Sequence, residues 1–217
     1  MTLAALDLAA LAATPLVKEP FQHLVVPGFV RAEACETINR DYPKIAERGS
    51  FPVDQLAFGP AFRAFLDELA SEEFRAAFEH KFGLDLAGRP HTITVRGRCS
   101  LKDGRIHTDT KSKIITLLIY LNPQWEHSGG RLRLLRSADD LDDAIAEVPP
   151  VAGALIAFKR GDNTWHGHKP FSGERRVIQF NWVTSDNERR IAMLRHQVSA
   201  SFKRLFAAAK PKERADA

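Results

Sequence analysis

The sequence predicts a mainly β chain with flanking helices, an α+β domain built on an antiparallel sandwich or barrel. Three observations predict it. Up to about residue 90 apolar residues recur at helical spacing; from 91 to 184 they fall in short β-branched runs set apart by Gly, Pro and Asp; after Ser185 the helical period returns. No period of 20 to 50 residues repeats, which excludes solenoids and arrays.

Residues 1–90 read as a helical support region with one leading strand, "HLVVPGFV". The segments "RAEACETINRDYPKIAERG" and "GPAFRAFLDELASEEFRAAFEHKFG" follow, each closed by a glycine, which tolerates the left-handed conformation that ends helices. In the second, Phe62, Phe65, Leu66, Leu69, Phe74, Ala77 and Phe78 share one helical face. Residues 91–184 hold five strand candidates: "HTITVRGRCSL", "KIITLLIYLN", "GGRLRLLR", "GALIAFKR" and "RVIQFNWV". Among them "SADDLDDAIAEVPP" reads as an acidic helical turn stopped by two prolines. Residues 185–217 read as a basic amphipathic helix and tail. Ser185 and Glu188 stand at capping-box spacing, and Ile191, Leu194, Val198, Phe202 and Leu205 form a stripe expected to pack on the sheet, with contact between two copies as the alternative. At 217 residues the three parts are expected to form a single domain, 1–217.

Composition narrows the function classes. Apolar residues at 44% and charged residues at 27% exclude disorder as the main state. The longest apolar runs, "IITLLIYL" and "VAGALIAF", are eight residues long, far short of the ~20 of a membrane-spanning helix, so no membrane partner is expected. The N-terminus has no Lys or Arg before its apolar part and carries Asp7 inside it, unlike a secretory signal. Cys35 and Cys99 are expected to be reduced, in the cytoplasm. The formal charge of +4 lies wholly in residues 186–217, with 8 basic against 4 acidic residues; the rest balances 23 against 23. A neutral body with a basic helix does not call for nucleic acid.

Two distant stretches carry residues that could do chemistry. In "IHTDTKSK", His107 and Asp109 are two apart, and residues i and i+2 of a strand share a face. In "NTWHGHKP", His166 and His168 follow a strand candidate that an antiparallel sheet can bring beside the first. Two imidazoles and one carboxylate on one octahedral face leave open positions, the arrangement of non-haem Fe(II) oxygenases. A structural zinc site would want a fourth closed ligand, which the two separate cysteines do not obviously supply. Taken alone, H-x-D is a weak pattern, and these residues could equally be unrelated polar side chains.

The wider order of motifs is more specific. H-x-D, then "TLLIYLNPQWEHSGGRLRLL", "VPPVAGALIAF" and "WHGHKPFSGERRVIQFNW", resembles the iron(II)/2-oxoglutarate-dependent dioxygenases of the prolyl 4-hydroxylase type over residues 91–183. The resemblance implies a double-stranded β-helix (jelly-roll, cupin-like) core in 91–184, N-terminal helices packed on one sheet, and Fe(II) held by His107, Asp109 and His166. His166 is selected over His168 because Pro170, Arg176 and Trp182 follow it at the family's spacing; His168 is then placed behind the ligands or on the substrate side. Arg176 is implied as the clamp for the distal carboxylate of 2-oxoglutarate, with Arg175 as runner-up because Gly173 lies one residue closer to the histidine than usual. Tyr120 matches a tyrosine that donates to the same carboxylate. Arg96 and Arg98 on the polar face of their strand could meet an anionic ligand, and Trp125 and Trp165 could line a substrate groove.

The activity implied is hydroxylation of an unactivated C–H, in a prolyl peptide or a small molecule, with 2-oxoglutarate and O2 consumed and succinate and CO2 released. Related halogenases lack the carboxylate that Asp109 provides. Ascorbate as supporting reductant is a family expectation, and the protein is expected to be a monomer or a homodimer through its C-terminal helix. The alternatives are a non-catalytic jelly-roll binding domain, which should have lost a ligand or the arginine, and a cupin-type metal hydrolase or isomerase, which would leave the arginine without a task.

Overall fold

A computed structural model describes residues 4–208, with the side chains of 199–208 outside the description. In chain order the elements are α1 (Leu8–Ala13), β1 (His23–Val26), α2 (Ala32–Arg40), β2 (Phe51–Pro52), α3 (Pro60–Leu69), α4 (Glu72–Phe82), β3 (His91–Cys99), β4 (Lys113–Tyr120), β5 (Leu132–Leu135), β6 (Ala144–Val148), β7 (Leu155–Lys159), β8 (His166–Gly167), β9 (Gly173–Val183) and α5 (Asp186–Ala208). Among the described residues nine strands form two antiparallel sheets, a six-stranded one ordered β1-β7-β4-β9-β3-β2 and a three-stranded one ordered β6-β5-β8. This is the jelly-roll expected of the chain.

The large sheet is buried on both faces, and strand parity divides its residues between them. On one face Ile93 and Val95 of β3, Ile115, Leu117 and Ile119 of β4, and Ile178, Phe180 and Trp182 of β9 meet Phe62, Phe65, Leu66 and Leu69 of α3 and Phe74, Phe78 and Phe82 of α4. Phe74 stacks on Trp182 at 5.6 Å and meets Phe180 edge-on at 5.4 Å, offset geometries that aromatic rings prefer. On the other face Tyr120, Ile156, Phe158 and Val177 meet Leu132, Leu134 and Val148 of the small sheet. This inner space narrows into a polar cavity.

The helical region differs in detail from its expectation. The long segment after Gly59 is two helices, because Ser71 accepts a hydrogen bond from the Phe74 amide and starts α4 afresh; Gly83, in the left-handed conformation, ends it. The segment after Val30 is helical only to Arg40 and does not run on to Gly49, and Pro43 lies just beyond its end. The stretch expected to make an acidic helical turn is instead a loop followed by β6: Leu132, Arg133 and Leu134 of β5 pair with Val148, Glu147 and Ala146, and this edge pairing overrides the local helical preference of Ala144–Val148.

Ser185 caps α5 by accepting from the Glu188 amide at 3.3 Å. The expected stripe is not buried along α5, where Leu194 is 59% and Val198 49% exposed; the side chains of Phe202 and Leu205 lie outside the described residues. Cys35 and Cys99 are buried and not joined. Among the described residues no helix is long and apolar enough to cross a membrane.

Candidate metal centre

His107 and His166 are brought together by their own main chains. The His107 amide donates to the His166 carbonyl and the His166 amide to the His107 carbonyl, both at 3.0 Å, a single antiparallel bridge that joins the loop before β4 to β8. Beside it, the His168 amide donates to the Gly104 carbonyl. Gly104 has φ +92, and a Cβ there would fall 2.4 Å from His168 Nδ1, so only glycine lets the loop close this tightly.

Each imidazole is oriented in the same way. Nδ1 of His107 faces the Arg105 carbonyl and Nδ1 of His166 the Thr164 carbonyl, each at 2.9 Å. A ring nitrogen beside a carbonyl carries the proton, which leaves Nε2 with a free lone pair for a metal. Burial presses the His166 pKa down to about 4, so at neutral pH this ring is uncharged and ready to ligate.

Asp109 lies in the loop, two residues beyond His107, and is buried. Its Oδ1 accepts from Lys113 Nζ at 2.7 Å and its Oδ2 from Thr116 Oγ1 at 2.5 Å. Burial alone would raise its pKa, but the Lys113 ammonium, His166 and these two hydrogen bonds more than offset that and hold it below the usual carboxylate range. One ligand atom from each of His107, Asp109 and His166 lies within 4.8 Å of the other two. Two imidazoles and an ionised carboxylate fit a divalent first-row metal with positions left open. Among the described residues this is the one such group.

His107 and His166 line a cavity of about 150 Å³, whose lining also includes Thr94, Arg96, Thr116, His168, Arg175 and Gln179. Within this lining Arg175 is only 4% exposed. Its Nε donates to the Gly130 carbonyl at 2.8 Å and its Nη2 to the Tyr120 hydroxyl at 3.3 Å, and Tyr120 is fully buried.

Arg176, the residue expected here, is not in the cavity. It lines a different pocket with Tyr42 and Arg98, pairs with Glu174 at 2.6 Å and donates to Asn39 Oδ1 at 3.0 Å. The reason is parity. Arg176 shares its face with Ile178, Phe180 and Trp182, which pack on the helices, whereas Arg175 shares its face with Val177 and Gln179. A bulge reinforces the arrangement: Arg96 pairs with Val177 and Arg98 with Glu174, so Arg175 and Arg176 together face Gly97 alone. A Cβ at Gly97 would lie 2.8 Å from the Ile45 carbonyl oxygen, so glycine is required opposite the bulge.

The other residues divide similarly. Arg96 lines the cavity and is held by Asp103 and Ser50 at 3.3 Å, while Arg98 points to the pocket of Arg176. Trp125 packs against Phe171 and His127 and donates to the Gly129 carbonyl; neither it nor Trp165 lines the metal cavity. Lys113, Thr116 and Gln179 were missed in the sequence, although Thr116 is the lone polar residue inside "IITLLIYL".

Comparison with known proteins agrees with this geometry. Residues 98–184 match the family model of the 2OG-Fe(II) oxygenase superfamily. The fold resembles a prolyl-4-hydroxylase from Pseudomonas putida, with 20% identity, TM-score 0.54, and 82% of this chain and 97% of that one covered. It also resembles the viral collagen prolyl hydroxylase of Paramecium Bursaria Chlorella virus-1 in its 2OG complex (17% identity, TM-score 0.52, 75% and 96% covered). HygX from Streptomyces hygroscopicus, with nickel and 2-oxoglutarate bound, is similar at 12% identity and TM-score 0.50, with 76% and 83% covered. No curated protein matches the chain in sequence.

Proposed function

Because this chain carries a domain of the 2OG-Fe(II) oxygenase superfamily and is an oxygenase that uses Fe(II), 2-oxoglutarate and O2, we propose that it hydroxylates an aliphatic C–H through the cavity between its two sheets. His107, Asp109 and His166 would hold the iron, and Arg175 with Tyr120 would hold the distal carboxylate of 2-oxoglutarate. When bound, iron and 2-oxoglutarate supply the two-electron chemistry that places one atom of O2 on the substrate and leaves succinate and CO2.

The observation that carries this reading is one cavity lined by both His107 and His166, which cluster with Asp109, and by the buried Arg175 guanidinium, which donates to the Tyr120 hydroxyl. The fork of Arg175 matches a carboxylate's two oxygens, and its burial makes each such bond stronger than in water. His107 and His166 contribute imidazole donors and Asp109 contributes the charge. A metal hydrolase would leave the Arg175 guanidinium without an anion to bind, and a decayed binding module has no reason to retain it. The presence of Asp109 favours hydroxylation over halogenation. A prolyl peptide is the first substrate to try, since two of the structures that share the fold are prolyl hydroxylases by name. The buried, unjoined cysteines fit a reducing compartment, and we place the protein in the cytoplasm.

The test is anaerobic addition of Fe(II) and 2-oxoglutarate, followed by succinate measurement in air. A visible charge-transfer band that forms with the native protein and is lost in His107→Ala is expected. No band, or a band indifferent to that substitution, overturns the reading.

A further inference from the structure

Three buried polar side chains form a row across the inner face of the large sheet. Thr92 of β3 pairs with Asn181 of β9, and Asn181 pairs with Thr116 of β4, so the three lie on one line perpendicular to the strands. Their exposures are 5%, 3% and 1%. Burying such groups is unfavourable unless each finds a partner. Asn181 Nδ2 donates to Thr92 Oγ1 at 3.1 Å, Asn181 Oδ1 accepts from Gln179 Nε2 at 3.3 Å, and Thr116 Oγ1 lies 3.1 Å from the same Oδ1. The row ends on Asp109, where Thr116 Oγ1 stands 2.5 Å from Oδ2.

Resting on the metal site proposed above, we propose that Thr116 is a positioning residue for iron: its single hydroxyl proton goes to Oδ2 of Asp109 and fixes the plane of that carboxylate, with Asn181 packed beside it in the row. A carboxylate on a single bond swings between rotamers, and only some of these present an oxygen toward His107 and His166. Lys113 also holds Asp109, but from the rim, on a long and partly exposed side chain. Thr116 is fully buried in a strand, and its β-branched side chain is stiff at χ1. Its hydroxyl is therefore the fixed point against which the carboxylate is set.

Binding of Mn(II) alone, titrated without 2-oxoglutarate or substrate, tests this without any turnover. Thr116→Val keeps the shape and removes the hydroxyl; the dissociation constant should rise about tenfold, the loss typical when a partner of a ligand is removed. Thr116→Ser restores the hydroxyl and should bind within about twofold of the native protein. Circular dichroism and the unfolding midpoint verify that each variant is folded, and Thr116→Ala serves if the valine is not accommodated. The inference fails if folded Thr116→Val binds Mn(II) like the native chain, or if Thr116→Ser is as weak as the valine. It also fails if neither Val nor Ala folds, since the row is then a stability element. His107→Ala separates the two levels. If the native protein binds no Mn(II), or His107→Ala binds as well, the metal site itself is wrong; if only the Thr116 result departs, the site stands without this support.

Discussion

Arg175 and Arg176 are the same side chain one residue apart in β9, yet one is sealed between the sheets and the other is tied to the helical side of the molecule. The two faces of this strand do different work. The face of Ile178, Phe180 and Trp182 holds the helices on, and the face of Arg175, Val177 and Gln179 furnishes the cavity. Membership of a face, decided by a single position of register, separates a cavity guanidinium, the clamp proposed above, from an ion pair on the helical side.

Substitutions on the two faces should therefore separate stability from ligand binding. The largest effect is expected from Phe180→Ala, which empties a fully buried ring site and should cost about 4 kcal/mol of unfolding free energy, read as a fall in the denaturant midpoint. Next comes Arg175→Met. Loss of a buried hydrogen-bonded charge partner is worth about 3 kcal/mol, so the 2-oxoglutarate dissociation constant should rise by roughly 100-fold while the unfolding midpoint moves little. Tyr120→Phe removes one hydrogen bond of about 1 kcal/mol and should raise the same constant by roughly fivefold. Arg176→Met, breaking a partly exposed ion pair worth less than about 1 kcal/mol, should leave 2-oxoglutarate binding within about twofold of native. A steep rise with Arg176→Met and none with Arg175→Met would reverse the assignment of the two faces.

The smallest effect expected is one of pH. His91 stacks on Phe180 at 4.9 Å, and burial, helped by Arg189, lowers its pKa. The folded chain then binds fewer protons than the unfolded one below the ordinary histidine value of about 6.5, so stability should fall as pH drops through that value. Replacing His91 with Gln should make this acid limb of the unfolding profile shallower, the buried His166 supplying the remainder, and an unchanged limb would exclude a contribution from His91.

How much of this was legible in the chain depends on how local each signal is. His107 and Asp109 sit two apart and announce themselves, and His166 was chosen over His168 by the residues that follow it. Arg176 was expected in the cavity where the structure has Arg175, because a bulge opposite Gly97 leaves no mark in an alternating pattern; yet the parity of Arg176 with Phe180 and Trp182 already put it with the core aromatics. β6 was hidden by the acidic run before it and by alanine, whose preference is helical, since its strand character comes only from pairing with β5. Thr116 was concealed by its own suitability, for threonine in an apolar β-run is unremarkable until the carboxylate it meets is known. The exposure of Leu194 and Val198 was equally invisible, because an amphipathic stripe states that a face is apolar and not what covers it.

The mutual amide bonds of His107 and His166 have a bearing on assembly. The two imidazoles are held as neighbours by the peptide chain itself, so the ion is not asked to gather them. Loading is then insertion into a frame already closed on its backbone side, with little chain ordering left to oppose it. Amide hydrogen exchange at these two positions should accordingly be slow before metal is added and nearly unchanged after, the ion contributing affinity and not architecture.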